Sequence, residues 1–558
     1  MLDNRLNRRS LFRGVLAAGG GIAVAPLLAA CGADEAETPS GSGAGSAATP
    51  TATATPEPTA ESTVAGSEPA AATGDGVTVD ELRIAMAALP PQLDPQTNGW
   101  IVMQRMYGLI YDTILTRDWA ANGELAPGLA ASWERIDDVT IELTLRDDVV
   151  FQDGTPMTAE DVRYTLDRTL QGDTNLGASG FFPIAEIEVV DDYTVKITTD
   201  GPDGAFEMRL SDTQASVVPA AYHQEIGYEA FKTQPIGTGP YKLVEYVTDN
   251  QIVFEAHQDY FGGAPAAGKV VVRTIPEVAT RVGALLNDEL DLILDLPPDQ
   301  ATIIEEAGGF TIDSVSPLNV NILAVSGGRA PTDNKLIRQA LNISIDRQTI
   351  VDQLLGGHGL VPGSVQSTYD PLYVERPPIP YDPEAATALL EEAGYDGEEI
   401  QYVYDTPNYY PLQREWSEAM VAGWNSIGLN VTMHTIDVAD RVNLTMEDPY
   451  HLVTTSSGVE VDLVMPNSYG NPDGYFQSKM FPPDYFSAFN ETVQQARETI
   501  DNEERAALYQ QALEVMNDEV MVIPQFTVNR LAAMKDTITW SGDPAWQVDL
   551  RRNKLQFS

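Results

Sequence analysis

The chain has 558 residues, 43% of them apolar and 8% aromatic, with 44 glycines and 37 prolines; this builds a large globular body of more than one domain and excludes a collagen-like or wholly disordered chain. Lys and Arg number 33 against 82 Asp and Glu, a formal net charge of -49, and such a surface repels phosphate backbones, so no nucleic-acid partner is expected. The single cysteine, Cys31, excludes an intrachain disulfide and any Cys-rich zinc or iron–sulfur site.

Arg5, Arg8, Arg9 and Arg13 precede a weakly apolar, Gly/Ala-rich run. Asn7-Arg8-Arg9-Ser10-Leu11-Phe12 resembles a twin-arginine export signal, and Leu28-Ala29-Ala30-Cys31 resembles a bacterial lipobox. Together they mark 1–30 as a signal and Cys31 as a lipidation site. The alternatives are an uncleaved membrane helix, for which the run is short and rich in glycine, and a free buried cysteine. From Gly32 to Gly76 there is no aromatic, Leu, Ile, Lys or Arg. Such a segment buries too little to offset the entropy of ordering, so 31–76 reads as a lipidated, disordered tether.

The body begins near Val77, where VTVDELRIAM predicts a strand ahead of a Pro-rich loop. A helix is expected over 100–115, carrying Tyr107 and Tyr111. In DVTIELTLRDDVVFQDG the alternation puts Val139, Ile141, Leu143 and Leu145 on one core-facing side. MTAEDVRYTLDRTL reads as a helix capped by Thr158; Glu160 and Asp161 in its first turn fit capping better than catalysis. Pro235 to Tyr241 is turn chemistry into a strand over 242–246, and it lacks the GxGxxG spacing and context of a phosphate cradle. VVRTIPEVATRVGALLNDELDLILDLPP reads as strand, helix, strand, which argues for α/β organisation. DNKLIRQALNISIDRQTIVDQLL is one long amphipathic helix or two in succession, and Pro383 to Ala393 is a helix entered on proline and left at Gly394.

The stations LRDDVVFQDGTPMTAEDVRYTLDR, PIGTGPYKL, IRQALNISIDR, YDPEAATALLEEAGY and RAALYQQALEVMNDEVMVIP follow one another in an order that resembles the extracellular solute-binding proteins of family 5, the peptide, nickel and oligosaccharide-type binding lipoproteins of ABC importers. The resemblance implies a two-lobed, periplasmic-binding-protein-like α/β fold with a hinge and an extra subdomain in the N-terminal half. Carried onto this chain, lobe I takes 77–115, 226–320 and 526–558, the inserted subdomain 116–225, and lobe II 321–525. It also implies a monomer that captures a small polar solute, an oligosaccharide or oligopeptide, and hands it to permease subunits with associated ATPases. Lipid at Cys31 would hold the exported chain at the outer face of the cytoplasmic membrane, in the periplasm or at the cell surface.

The chemistry in the residues fits binding. There is no G-x-S-x-G elbow and no HExxH helix, and His223, His257, His358, His434 and His451 are dispersed. No catalytic residue, cofactor or metal is expected. The enzymatic alternative is a membrane-anchored glycoside hydrolase using paired carboxylates, which 82 acidic residues cannot exclude; a structural adhesin is a third class.

The ligand candidates lie in two stretches. In peptide-binding members an Asp-Tyr pair shortly ahead of Pro and an aromatic supplies a carboxylate to the peptide ammonium. Matching Tyr469 and Pro472 to that pattern puts Ser468 at the aspartate's position. A hydroxyl cannot neutralise an ammonium, so the resemblance then favours a neutral solute, unless Asp473 compensates through a shifted loop. Asn467, Ser468, Tyr469, Asn471 and Asp473 are therefore candidate contacts, although Asn471-Pro472-Asp473-Gly474 also reads as a self-satisfied turn. On the opposing side Asn98, Trp100, Gln104 and Tyr107 are candidates, with Trp100 as a stacking surface or as core. Trp416 and Trp424 share a helical stretch with Met420 and read as packing.

Overall fold

The structure is a computed structural model that describes residues 77–96, 104–170, 182–406, 410–441, 444, 447–457, 465–471, 480–482, 485–545 and 547–558. The signal-like and tether stretches with Cys31, and the candidates Asn98, Trp100 and Asp473, lie outside these residues, as does the side chain of Asn467.

Strand β1 (Val79–Met86) opens the body. Leu82, Ile84 and Met86 enter one apolar core while Ala85 enters another, as expected of a strand in a sheet covered on both faces. Among the described residues of the helix expected over 100–115, Gln104 is helical and, after a turn at 105–106, one further helical turn follows, α1 (Tyr107–Ile110). Tyr111 is already extended, with φ -126° and ψ 161°. Tertiary bonds pull the chain out of the helix at this point. The amide of Gly239 donates to Ile110 O at 2.8 Å. The next residue, Asp112, accepts from Tyr260 Oη at 2.9 Å, Arg551 Nη2 at 2.7 Å and Thr238 Oγ1 at 3.0 Å.

A smaller module follows. Strands β2 (Leu115–Asp118) and β3 (Glu124–Pro127) form a ribbon. Strands β4 (Ala130–Arg135), β5 (Thr140–Leu145), β6 (Ile184–Asp191) and β7 (Thr194–Thr199) form an antiparallel sheet in the order β4-β5-β7-β6. Ile141, Leu143 and Leu145 are buried as their alternation requires. Helix α2 (Ala159–Leu170) begins where Asp161 reaches back to the Thr158 amide at 3.0 Å and hydroxyl at 3.1 Å. Its other oxygen accepts the Ala220 amide at 2.9 Å, so this acid is fully used in capping.

The chain then returns to the sheet of β1 with β8 (Tyr241–Val247), β9 (Gln251–Ala256), β10 (Ala267–Thr274), helix α3 (Val278–Leu286), β11 (Leu292–Ile293) and β12 (Phe310–Val315). A C-terminal strand, β18 (Arg530–Lys535), inserts between β11 and β12, giving the order β12-β18-β11-β1-β10-β9-β8. The glycines of the 235–241 turn serve close packing: a Cβ on Gly237 would sit 2.3 Å from Ile110 O, and one on Gly239 2.5 Å from the Ile110 carbonyl carbon.

The second sheet has the order β15-β14-β16-β13-β17, from β13 (Val320–Val325), β14 (Glu399–Thr406), β15 (Asn430–Asp437), β16 (Leu452–Ser457) and β17 (Val522–Pro524). The stretch after 334 forms two helices, α4 (Lys335–Ile343) and α5 (Arg347–Gln353), because Asp346 caps a new start by accepting from the Thr349 amide at 3.0 Å. Helix α6 (Pro383–Ala393) has proline in its first turn and Gly394 in the left-handed region. Helix α7 (Gln413–Ser426) buries Trp416, Met420 and Trp424, and the Trp424 Nε1–H donates to Leu341 O at 2.9 Å. Helices α8 (Val438–Arg441), α9 (Ser487–Glu498) and α10 (Asn502–Glu519) and the C-terminal pair β19 (Ile538–Trp540) and β20 (Leu555–Phe557) complete the described elements used below.

Candidate functional site

The chain passes between the two large sheets twice among the described residues, after β12 (316–319) and after β17 (525–529). The second crossing pairs with the start of β13: Gln525 N donates to Asn321 O at 2.8 Å and Asn321 N to Phe526 O at 3.2 Å. Thr527 N donates to Leu360 O at 2.9 Å, and Ser314 Oγ lies 3.0 Å from His358 Nδ1. Phe526 is buried edge-on against Trp416, 5.3 Å between centroids.

Strand directions then decide what faces the gap. In the first sheet β12 runs into a crossing and β18 runs out of one; β11 is antiparallel to β18, and β1 is parallel to β11 and β10. In the second, β13 leaves the crossing, β16 and β17 oppose it, and β14 and β15 follow β16. Both sheets therefore turn carboxyl ends toward the crossing edge, where open α/β sheets hold ligands.

Each edge carries an ion pair. On the first, Asp295 follows β11, accepts the Ala87 amide at 3.0 Å and pairs with Arg105 at 2.7 Å. Burial opposes its ionisation, but Arg105 and the Ala87 amide outweigh burial and hold the carboxyl below its usual range. On the second, Asp405 near the end of β14 is fully buried and pairs with Arg441 of α8 at 3.1 Å. Here burial prevails over Arg441, and the carboxyl is raised.

Two contacts bring the smaller module against the second lobe. Trp119 meets the Tyr369 ring of the second lobe edge-on at 6.0 Å, and its Nε1–H donates to Asp543 Oδ2, on the C-terminal segment that joins the first lobe, at 2.9 Å. Burial pushes the Asp543 carboxyl up to about 7, against the Ala545 amide and the Trp119 donor. Farther along, Gly204 N donates to Arg497 O at 2.9 Å, and Arg497 lies 3.6 Å from Asp203. Beside this contact is a polar cavity of about 570 Å³ lined by Phe182 and Asp200 of the module and by Pro466, Asn471, Gln494 and Arg497. A second cavity, about 680 Å³, is lined by Thr78, Asp80, Val244, Lys269 and Arg552 among others. It belongs to the first lobe and takes the amino end of β1, away from the crossing edge.

Of the candidate contacts, Asn471 lines the polar cavity and Ser468 is half-buried in the short helical turn Met465–Tyr469. Tyr469 is buried in an apolar core. Tyr107 is buried in the first-lobe core, with its hydroxyl donating to Asp94 O at 2.9 Å, and Gln104 is half-buried beside it in sequence. The histidines stay apart: His223 meets Tyr164 at 2.8 Å and His257 the Gly239 carbonyl at 3.1 Å. His451 accepts the Gln401 amide at 3.0 Å, so its Nε2 is the donor to Ala330 O at 2.9 Å. Among the described residues no group of three His, Cys, Asp or Glu is placed to hold a metal ion. The pairs Arg105–Asp295 and Arg441–Asp405 and the Trp119–Asp543 contact escaped the sequence reading. The only local signal was an acid at the carboxyl end of a predicted apolar strand.

A two-lobed α/β body with two crossings between its sheets and carboxyl edges turned toward them is the architecture of a solute-binding protein. The chain belongs to the family described as bacterial extracellular solute-binding proteins, family 5 middle, which it matches over residues 124–478. It is therefore exported. It is 29% identical to heme-binding protein A of Haemophilus influenzae over 446 residues, 72% of this chain and 78% of that protein. It is 25% identical to the dipeptide-binding protein of Escherichia coli over 448 residues, 73% and 82% of the two chains. Its fold is similar to that of NikA from Brucella suis, solved in complex with Fe(III)-EDTA, with a TM-score of 0.77, 22% identity and coverage of 86% of this chain and 100% of that one.

Proposed function

We propose that this protein is the solute-binding lipoprotein of an ABC importer, capturing a polar solute between its lobes and delivering it to a membrane permease driven by ATPase subunits. The observation that carries the reading is that both sheets turn strand carboxyl ends toward the edge where the chain crosses between them. Closure about 316–319 and 525–529 replaces the solute's water with fixed protein groups and involves no chemical step. In this reading lobe I comprises 77–115, 226–320 and 526–558, the module 116–225, and lobe II 321–525. The twin-arginine signal exports the chain and lipid on Cys31 holds it, as a monomer without cofactor, at the outer face of the cytoplasmic membrane.

Asn98, Trp100, Asn467, Ser468, Asn471 and Asp473 are the proposed contacts; Tyr107 and Tyr469 are buried in the apolar cores. A peptide is supported by the likeness to a dipeptide-binding protein. An oligosaccharide is supported by the uncharged Ser468, which offers a hydroxyl where an ammonium would need a carboxylate.

The test is to incubate the full-length chain with a mixed oligosaccharide and oligopeptide pool, wash it, and identify retained solutes by native mass spectrometry with denaturing release. Retention of an unaltered solute together with compaction in small-angle scattering is the expected result. Cleaved sugars would point instead to a hydrolase using paired carboxylates.

A further inference from the structure

The proposed function leaves open which group of the solute the second lobe grips. We propose that Arg441, braced by the buried Asp405 at the crossing edge of the second lobe, anchors a carboxylate of the bound solute. The inference rests on the solute-binding reading and narrows its ligand.

The placement comes from strand register. Leu452 and Val453 of β16 pair with Tyr402 and Val403 of β14, and Thr455 pairs with Ile322 of β13, two residues after that strand leaves the crossing. Asp405, two residues beyond Val403 on β14, thus reaches the level of Thr455, at the edge that faces the first lobe. Arg441 Nη1 donates to Thr455 Oγ1 at 2.7 Å and to Thr454 O at 3.4 Å, while Nε stands 3.1 Å from Asp405 Oδ1. The guanidinium is thereby held by the hydrogen bonds of Nη1, while Nε meets Asp405 as an ion pair without a directed hydrogen bond. The two N–H donors of Nη2 have no partner among the described residues, and the side chain keeps 16% of its surface exposed.

The pair is poorly explained as a stabilising device. Neither oxygen of Asp405 accepts a well-directed hydrogen bond, although the carboxylate is fully buried. A buried ion pair with incomplete hydrogen bonding recovers little of its desolvation cost. What the arrangement does supply is a planar cation oriented through Nη1, two Nη2 donors without a partner among the described residues and a buried counter-charge beside it. That is suited to a carboxylate more than to a neutral hydroxyl. Asp405 acts through Arg441 and is a positioning residue.

A carboxylate occurs at the C-terminus of a peptide and on a uronic-acid sugar, and one experiment separates the two. The full-length chain is offered di- to tetrapeptides and uronic-acid oligosaccharides, each beside its matched amide or methyl ester, and affinities of retained compounds are measured by calorimetry. Retention of the acids in preference to their neutral partners by about 10- to 100-fold is expected of a charged hydrogen bond in a closed site. Whichever acid series is retained identifies the source. Arg441→Gln should abolish the preference, Arg441→Lys should keep part of it, and Asp405→Asn should reduce it. A change in melting temperature alone, with the acid preference intact, would overturn the assignment. Neutral partners bound as tightly as acids would also overturn it while leaving solute binding standing, and retention of nothing from either series would remove both readings.

Discussion

Replacing Gly204 with alanine should weaken solute binding without damaging either lobe. Gly204 lies in the loop of the smaller module that meets the turn between α9 and α10, where its amide donates to Arg497 O at 2.9 Å. A Cβ there would stand 2.3 Å from the carbonyl oxygen of Thr499 and 2.6 Å from Arg505 Nη1. Carbon and carbonyl oxygen settle at about 3.3 Å, so the two surfaces must part by about 1 Å. Arg505 is itself buried and bonded to Thr499 O, Ile500 O and Asn502 Oδ1, so neither it nor the backbone carbonyl at the helix end yields readily. Overpacking of this kind costs about 1–3 kcal/mol. If closure needs the contact, the closed population and the apparent affinity fall by about 5- to 150-fold. Calorimetry on the captured solute measures the affinity, and small-angle scattering of the loaded and unloaded protein follows the closure. Wild-type affinity, within twofold, for Gly204→Ala would refute the link between this contact and closure.

Other outcomes follow from single groups. Asp543 is held up to about 7 by burial, so the stability it contributes is complete below the ordinary carboxylate range and is lost as pH rises through about 7. Because Trp119 donates to it, tryptophan fluorescence should show a component titrating near pH 7 that disappears in both Asp543→Asn and Trp119→Phe; a flat wild-type trace would remove this account. His223 is pushed down to about 4, first by burial and then by Arg168; its contribution is present above pH 6.5 and lost as pH falls through about 4. His223→Gln should lose part of that acid sensitivity, and melting curves that run parallel from pH 7 to 4 would contradict it. Trp424→Ala removes a fully buried side chain and its bond to Leu341 O, and should cost the second lobe about 3–5 kcal/mol in urea unfolding. A loss under about 1 kcal/mol would mean that the site collapses without a cavity.

The sequence by itself determined features whose causes lie within a few residues. The alternation of Ile141, Leu143 and Leu145 places them in a core, Thr158 and Asp161 start α2, Pro383 and Gly394 bracket α6, and the i, i+4, i+8 spacing of Trp416, Met420 and Trp424 puts them on one buried helix face. Composition and the order of motifs carried the family and its two-lobed fold, because each motif is a local unit of strand, turn and helix.

Only the tertiary structure decided the rest. The helix expected over 100–115 is cut at Tyr111 because Asp112 is claimed by Thr238, Tyr260 and Arg551, residues far along the chain. Tyr107 and Tyr469 look like exposed contacts in a sequence, yet lie in cores whose other walls come from distant elements. Arg441 and Asp405 are unremarkable until sheet order places β14 beside β16 and the direction of β13 turns their carboxyl ends to the crossings. Trp119 and Asp543 meet across 424 residues. Hydrophobic period and capping act over one or two turns of chain, whereas the site is assembled by sheet order and strand direction, which no local pattern encodes.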